Sequence, residues 1–279
     1  MKPVNFDYYR PDTVDEALDL LAEHGEDARV IAGGQSLMAL LNLRLAAPRA
    51  LIDIAHLAEL SYCRDSATHM VIGAAVTQAQ LLAQPGLADA VPLLAQALPH
   101  VGHFQTRNRG TVCGSLAHGD PSSELPLCLA TLEGAVVLRS KRGERVLKAS
   151  DFQTGLLATA REPDELVVAA RYPLKRPGAG YAFAEVARRH GDFAIVSLAA
   201  VAENGTLRLG VGGVADRPAA RTWQVAPGEA PDDQLGDALN EFAWALGGED
   251  DIHASARYRR DIVRKLGRTV LEEAATCAS

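Results

Sequence analysis

The stretch Val30-Ile-Ala-Gly-Gly-Gln-Ser-Leu-Met-Ala-Leu-Leu-Asn-Leu-Arg44 most restricts how this chain can fold. An apolar, strand-like run, Ala28 to Ala32, enters a Gly-Gly turn. A helix-like run leaves it, with Leu37, Leu40, Leu41 and Arg44 at helical spacing. Paired glycines let a ligand approach the backbone. Gln35 and Ser36 place successive amides near a helix start, where an anion is favoured. The stretch therefore reads as a phosphate cradle or as a plain strand–turn–helix connection, and local sequence leaves both open. It lacks the G-x-G-x-x-G fingerprint, which disfavours a standard nicotinamide dinucleotide site.

The flanking sequence supplies the context. Phe6 to Pro11 reads as an extended entry, and Thr13-Val-Asp-Glu16 has the capping-box pattern. Val14, Ala17, Leu18 and Leu21 share a helical face that stops at Gly25. Ala50 to Ile54 reads as a second strand, so residues 1–57 predict a small βαβ unit with parallel strands. Beyond Leu60 short strands alternate with polar joints, which predicts antiparallel pairing. Helices are expected from Thr77 to Leu82 and from Leu87 to Leu98, with Pro92 in a first turn. Lys175-Arg-Pro-Gly-Ala-Gly180 is the linker candidate. After it come strands over 181–189, 193–203 and 206–212, with Asn204-Gly205 as a hairpin turn. Helices are expected over 232–246 and 255–275. The apolar stripe Tyr258, Ile262, Leu266 and Val270 reads as core packing.

Two further stretches stand out. Arg109 to Glu124 is rich in glycine and small residues, which suits a backbone lying against a ligand or another strand. Asp120-Pro121 reads as the N-cap and first residue of a helix running through Glu124 to Leu132. His118-x-Asp120 lacks the further ligands that a metal site needs, and Ser115 lacks the G-x-S-x-G elbow of a hydrolase. The third stretch, Arg188-Arg-His-Gly-Asp-Phe193, reads as a charged turn between strands, with Phe193 either core or the cover of a flat ligand.

Composition removes several function classes. The 279 residues carry a net charge of −7, which does not favour nucleic acid or an anionic membrane. The N-terminus lacks a signal-peptide core and no apolar run reaches a membrane span, so a cytoplasmic protein is expected. Cys63, Cys113, Cys128 and Cys277 form no C-x-x-C pair, so neither zinc nor an iron–sulfur cluster is expected on this chain.

Taken together, three motifs carry a resemblance: Ala32-Gly-Gly-Gln-Ser-Leu37 with Arg44, Thr111-x-x-Gly-Ser-Leu-Ala-His-x-Asp-Pro-x-x-Glu124, and Arg188-Arg-x-Gly-Asp-Phe-Ala194. In this order and spacing the chain resembles the FAD-binding medium subunits of the molybdenum hydroxylases. That family includes the carbon monoxide dehydrogenase medium subunit and the flavin segment of xanthine dehydrogenase. The resemblance implies an α+β fold with an FAD-binding, PCMH-type domain over 1–175. That domain would join the small α/β part, 1–57, to a larger antiparallel part, 58–175. A C-terminal domain over 176–279, a three-stranded antiparallel sheet with helices, would follow.

It also implies non-covalent FAD. Ala32, Gly33, Gly34, Gln35, Ser36 and Leu37 would cradle the diphosphate. Thr111, Gly114 and Ser115 would approach from the second loop, which also carries His118 and Asp120. Glu124 matches an acidic FAD contact, Val101 and Val167 match apolar positions beside the cofactor, and Phe193 matches a position near the flavin ring. The implied function is electron transfer, with no catalytic residue acting on the organic substrate from this chain. A large molybdenum-cofactor subunit would oxidise the substrate, and a small [2Fe–2S] subunit would pass electrons to FAD. The implied assembly is a dimer of heterotrimers. The alternative is a cofactor-free scaffold or regulator of the same fold. Two departures from relatives are visible: Ala184-Glu-Val-Ala187 stands where some carry a lysine, and no cysteine-rich insertion is present.

Overall fold

The computed structural model of the chain describes residues 2–225 and 233–278, the side chains of 233 and 234 excepted. The N-terminal region forms the expected parallel unit. Strand β1 (Asp7–Tyr9) is followed by α1 (Val14–His24), β2 (Ala28–Ile31), α2 (Leu37–Leu43) and β3 (Ala50–Asp53). The three strands lie in the order β1-β3-β2 and all pair in parallel. Thr13 caps α1 by accepting the Glu16 amide at 3.1 Å. The helix buries Val14, Ala17, Leu18 and Leu21, the face its spacing predicts, and ends at Gly25 with φ +50°.

The middle of the chain builds an antiparallel sheet with helices on it. Strands β4 (Cys63–Asp65) and β5 (His69–Gly73) precede α3 (Gln78–Leu82), α4 (Leu87–Ala90) and α5 (Pro92–Ala97). The helix expected over 87–98 is thus two helices. Pro92 has no amide to donate and cannot continue α4, so it opens α5, with Val91 in a non-helical conformation (φ −139°, ψ 75°) between them. Next come α6 (Phe104–Arg109), α7 (Val112–His118) and α8 (Glu124–Thr131). Strands β6 (Ala135–Ser140) and β7 (Gly143–Lys148), the short α9 (Ala149–Phe152), β8 (Gln153–Gly155), β9 (Ala158–Thr159) and β10 (Leu166–Pro173) complete the region. The main sheet has the order β4-β5-β10-β6-β7. β10 lies at its centre, and its Leu166–Ala170 run is buried on both faces.

The glycine-rich stretch corrects the sequence reading. Its middle, Val112–His118, is helix α7, capped by Thr111, whose hydroxyl accepts the Gly114 amide at 3.0 Å. Helix α8 starts at Glu124 with Ser123 as N-cap, later than Asp120-Pro121 suggests. Asp120 instead accepts the Ser122 amide at 2.8 Å, a local turn that competes with helix entry.

The C-terminal region is a four-stranded antiparallel sheet, β11 (Gly180–Val186), β12 (Val196–Glu203), β13 (Thr206–Gly212) and β14 (Ala219–Gln224). Three strands were expected. β14 is an edge strand with no fully buried residue, so it lacks the apolar alternation that marks the others. The loop 187–195 is also longer than expected, because β11 ends at Val186, where the Ile195 amide closes on the Val186 carbonyl at 2.7 Å. Asn204 (φ +48°) and Gly205 (φ +73°) form the predicted hairpin turn. Helices α10 (Asp233–Ala245) and α11 (Ala256–Cys277) pack together, with α11 lying on β11 and β12. The expected start of α10 at Asp232 lies outside the described residues. In α11 Ile262 and Val270 are buried as the stripe predicts, while Tyr258 is 48% exposed.

The molecule has two hydrophobic cores. One spans the N-terminal and middle regions, and Ala179, Tyr181, Ala199 and Val201 of the C-terminal sheet join it. The other face of that sheet and helices α10 and α11 make the second. The C-terminal sheet is therefore anchored to the rest of the chain, and its 187–195 loop reaches the site described next.

Candidate functional site

A cleft of about 750 Å³ opens where β2, the β2–α2 turn, α7 and the 191–193 loop converge. That volume is in the range of small-molecule and cofactor sites. Of the residues the resemblance nominates, Ala32 through Leu37, Val101, Thr111, Gly114, Ser115, His118, Glu124, Val167 and Phe193 all line it. Asp120 does not; its carboxylate is turned onto Ser122.

The first wall is the Gly-Gly turn. Gly34 takes φ +70°, which an L side chain rarely adopts. The amides of Gly34, Gln35, Ser36 and Leu37 make no backbone hydrogen bond among the described residues. Four consecutive donors beside a cleft are what a phosphate needs. Gln35 folds its Nε2 back onto the Gly33 carbonyl at 3.0 Å, which stiffens the turn.

Gly33 has a different role from the one its sequence context suggests. A Cβ there would stand 2.1 Å from the Arg109 carbonyl oxygen and 2.7 Å from Gly110 Cα. Its missing side chain lets two backbone segments touch and holds both walls at a set spacing. The second wall is stitched from behind: the Gln78 amide donates to the Gly110 carbonyl at 2.8 Å, and the Val112 amide to the Val76 carbonyl at 3.1 Å. Gln78 itself lines the cleft, and its Oε1 is buried with no hydrogen-bond partner.

The third wall is the 191–193 loop. Gly191 has φ +84°, and a Cβ there would lie 2.7 Å from the His103 ring and 2.9 Å from the Gly102 carbonyl oxygen. Phe193 then faces the cleft while 67% exposed, an orientation suited to covering a flat ring.

The acids of the site are unusual. Glu124 is 6% exposed and forms no ion pair among the described residues. Burial, with smaller contributions from Glu185 and Asp120, pushes its carboxyl up to about 8. Behind it, Glu185 Oε1 lies 3.3 Å from His100 Nδ1 and its Oε2 is buried without a partner. Burial raises Glu185 to about 7 and lowers His100. Both shifts favour the neutral forms of the two partners over an ion pair. Glu185 lies within the Ala184–Ala187 segment.

Other lining residues carried no sequence signal. Arg29 and Arg161 are isolated arginines, and Gln78 lies on a short helix of ordinary composition. No group of three or more potential metal ligands occurs among the described residues. All four cysteines are unpaired, and burial raises Cys113 to about 12, so this cleft-lining thiol is not a nucleophile at neutral pH.

The comparisons with known proteins match this geometry. A family model described as the FAD binding domain in molybdopterin dehydrogenase matches residues 4–175. A second, the CO dehydrogenase flavoprotein C-terminal domain, matches residues 181–274. The chain belongs to this family of FAD-binding medium subunits. Among its relatives is the alpha subunit of the 6-hydroxypseudooxynicotine dehydrogenase complex of Paenarthrobacter nicotinovorans, 35% identical, covering 98% of this chain and 96% of the relative. The carbon monoxide dehydrogenase medium chain of Afipia carboxidovorans is 34% identical over 98% of both chains. The structure of reconstituted CO dehydrogenase from Oligotropha carboxidovorans contains a chain that superposes with a TM-score of 0.92, at 33% identity over the full length of both. The cofactor of the family is FAD, and its members are subunits of oxidoreductase complexes. The open amides, the unpartnered Gln78 oxygen and the Phe193 face of this medium subunit fit that cofactor. No helix among the described residues is long and apolar enough to cross a membrane.

Proposed function

We propose that this chain is the FAD-carrying electron-transfer subunit of a multi-subunit molybdenum hydroxylase. It would take electrons from a small [2Fe–2S] subunit and deliver them to an external acceptor. Bound FAD would supply the two-electron chemistry. The protein's own residues bind and orient it: the Gly34–Leu37 amides hold the diphosphate, Thr111, Gly114 and Ser115 approach from the facing wall, and Phe193 covers the ring. The observation that carries this reading is the run of four unpaired amides facing α7 across a cleft. A scaffold without cofactor has no need of open donors at that place.

Oxidation of the organic substrate belongs to a separate molybdenum-cofactor subunit in this reading. The relatives named for carbon monoxide and for 6-hydroxypseudooxynicotine differ in substrate while sharing this chain's full length, which supports substrate choice lying elsewhere. The division into an FAD-binding domain (1–175) and a C-terminal domain (176–279), a cytoplasmic location and a dimer of heterotrimers are part of the same proposal. Purification of the chain alone tests it. A flavin spectrum with one FAD per chain, and no turnover of substrate without the partner subunits, is expected. A preparation that contains no flavin and takes up none on addition of FAD overturns the reading.

A further inference from the structure

Behind Glu124 a set of buried polar side chains leads away from the cleft, and binding of the cofactor does not use it. Glu185 on β11 and Ser197 on β12 pair across the sheet, so their side chains share a face. It is the face that carries Tyr181 and Ala199 into the first core, while α11 packs on the other. The Glu185 side chain is 4% exposed and Ser197 is fully buried. Neither Glu185 Oε2 nor Ser197 Oγ has a hydrogen-bond partner among the described residues. Two such atoms on neighbouring strands cost stability, so packing alone does not account for them.

The pair continues in both directions. Outward, Glu185 Oε1 lies 3.3 Å from His100 Nδ1, and the His100 ring meets that of His190 edge to face at 5.9 Å. His190 is exposed, on the loop that brings Phe193 to the cleft. Inward, Gly212 pairs with Ser197, and a Cβ on Gly212 would lie 2.6 Å from Ser197 Oγ and 3.2 Å from the Pro121 carbonyl oxygen. The hydroxyl therefore abuts the segment that enters α8, whose first residue is Glu124. The Glu185 charge reaches Glu124 and raises its carboxyl.

No fixed cation pins this cluster in one protonation state. The turn at 98–100 presents His100 to Glu185, the 187–195 loop presents His190, and α8 with the loop before it presents Glu124 and Asp120. Arg188 is exposed, and Arg189 is held by Asp192 at 3.1 Å. Arg107 is turned onto the carbonyls of Pro99, Val101 and Gly102. Helix α5 presents uncharged Gln96, bonded to the Tyr181 carbonyl at 3.2 Å. Two raised acids and a lowered imidazole can each give and take a proton near neutral pH.

We propose that His190, His100, Glu185 and Ser197 form a proton path between solvent and Glu124, separate from the open mouth of the cleft. It rests on the reading above, in which FAD occupies the cleft. Reoxidation of a fully reduced flavin releases two electrons and the protons that reduction added. The electrons go to the acceptor. The protons pass from Glu124 by way of Ser197 Oγ and Glu185 to His100 Nδ1, and from His190 to solvent. Buried polar atoms without a protein partner are where internal water binds and bridges such steps.

The FAD-loaded chain, reduced and mixed with two equivalents of ferricyanide in weak buffer, reports electron loss as flavin absorbance and proton release as the colour of a pH indicator. In the wild type the two signals are expected to share one rate. Glu185→Gln should slow proton release at least about fivefold, with electron loss and FAD content within about twofold of wild type. A merely structural role would not split the two rates. His190→Ala changes an exposed residue, should slow proton release in the same way, and decides the case if Glu185→Gln fails to fold. Proton release that keeps pace with electron loss in a folded Glu185→Gln overturns the proposal, as does equal slowing of both signals. A wild type that takes up no FAD refutes the flavin reading instead. The path is then judged on the cofactor-free chain by infrared titration of its carboxyls: Glu124 should ionise at lower pH in Glu185→Gln than in wild type, and an unmoved Glu124 overturns the path.

Discussion

Gly33 and the Arg109 carbonyl are in backbone contact: a Cβ on Gly33 would lie 2.1 Å from that oxygen. This junction sets the distance between the open amides of the Gly-Gly turn and the wall formed by α7. Gly33→Ala must therefore displace backbone. A loss of at least about 2 kcal/mol in unfolding free energy is expected, as for an overpacked interior. Flavin content should fall with it. Urea denaturation and the flavin spectrum check both; a variant with wild-type stability and full flavin would show that the two segments are not locked together.

Thr111 and Gly114 form a second coupled pair. The Thr111 hydroxyl accepts the Gly114 amide, and a Cβ on Gly114 would lie 2.7 Å from that same oxygen. Thr111→Ala removes an N-cap and should cost about 1 kcal/mol. Gly114→Ala should cost less in the Thr111→Ala background than in the wild type, because the obstructing oxygen is gone. A double-mutant cycle with additive effects would contradict this.

The buried acids predict a pH dependence. Glu124 rises to about 8 and Glu185 to about 7 in the folded chain. A raised folded pKa means that the native state holds more protons than the unfolded chain between the ordinary carboxyl range and these values. Their contribution to stability is complete below the unfolded carboxyl pKa, is lost as pH rises through the folded values, and is flat above about 8. Glu124→Gln, which mimics the protonated acid, should be more stable than wild type by at least about 1 kcal/mol at pH 8.5, with the advantage shrinking toward pH 5. Denaturant midpoints measured at half-unit steps from pH 5 to 9 test this, and parallel curves for the two proteins would refute it.

Arg259 ties α11 to the segments that end at the Phe193 loop. It is 6% exposed, and its Nη1 donates to the carbonyls of Ile195 at 2.6 Å and Gly213 at 2.7 Å, while Nη2 reaches Asp251 at 2.6 Å. Arg259→Leu would leave two carbonyls without their donor and should cost about 3 kcal/mol. Asp251→Asn touches only the half-exposed partner and should cost under about 1 kcal/mol. Equal losses in the two variants, measured by denaturant unfolding, would contradict this assignment.

Much of this molecule was legible in the chain itself, because its signals are local. Periodicity marks α1 and α11, Asn204-Gly205 marks its hairpin, and the Ala28–Ala32 run with the Gly-Gly turn marks β2 and the start of α2. The resemblance also nominated fourteen residues that line one cleft, twelve of them in the three motifs, though they lie far apart in sequence. Asp120 was nominated as a helix cap and a site residue but is neither, because an Asx turn and a helix cap share the same sequence signature, and only the position of the Ser122 amide separates them. Helix α7 was hidden because its glycine and small residues lower helix propensity, and packing supplies what propensity does not. β14 was hidden because an edge strand with no buried residue leaves no hydrophobic pattern.

What the sequence by itself determined is the identity of the walls, since glycines and caps act over a few residues, while the ligand class came from the family resemblance that the three motifs carry together. The tertiary structure decided why Gly33 must be glycine, what Glu185 meets, and that Arg29 and Arg161 line the same cleft. Those facts depend on contacts between segments tens of residues apart. Burial and charge at such contacts are properties of the assembled space, and no window of sequence contains them.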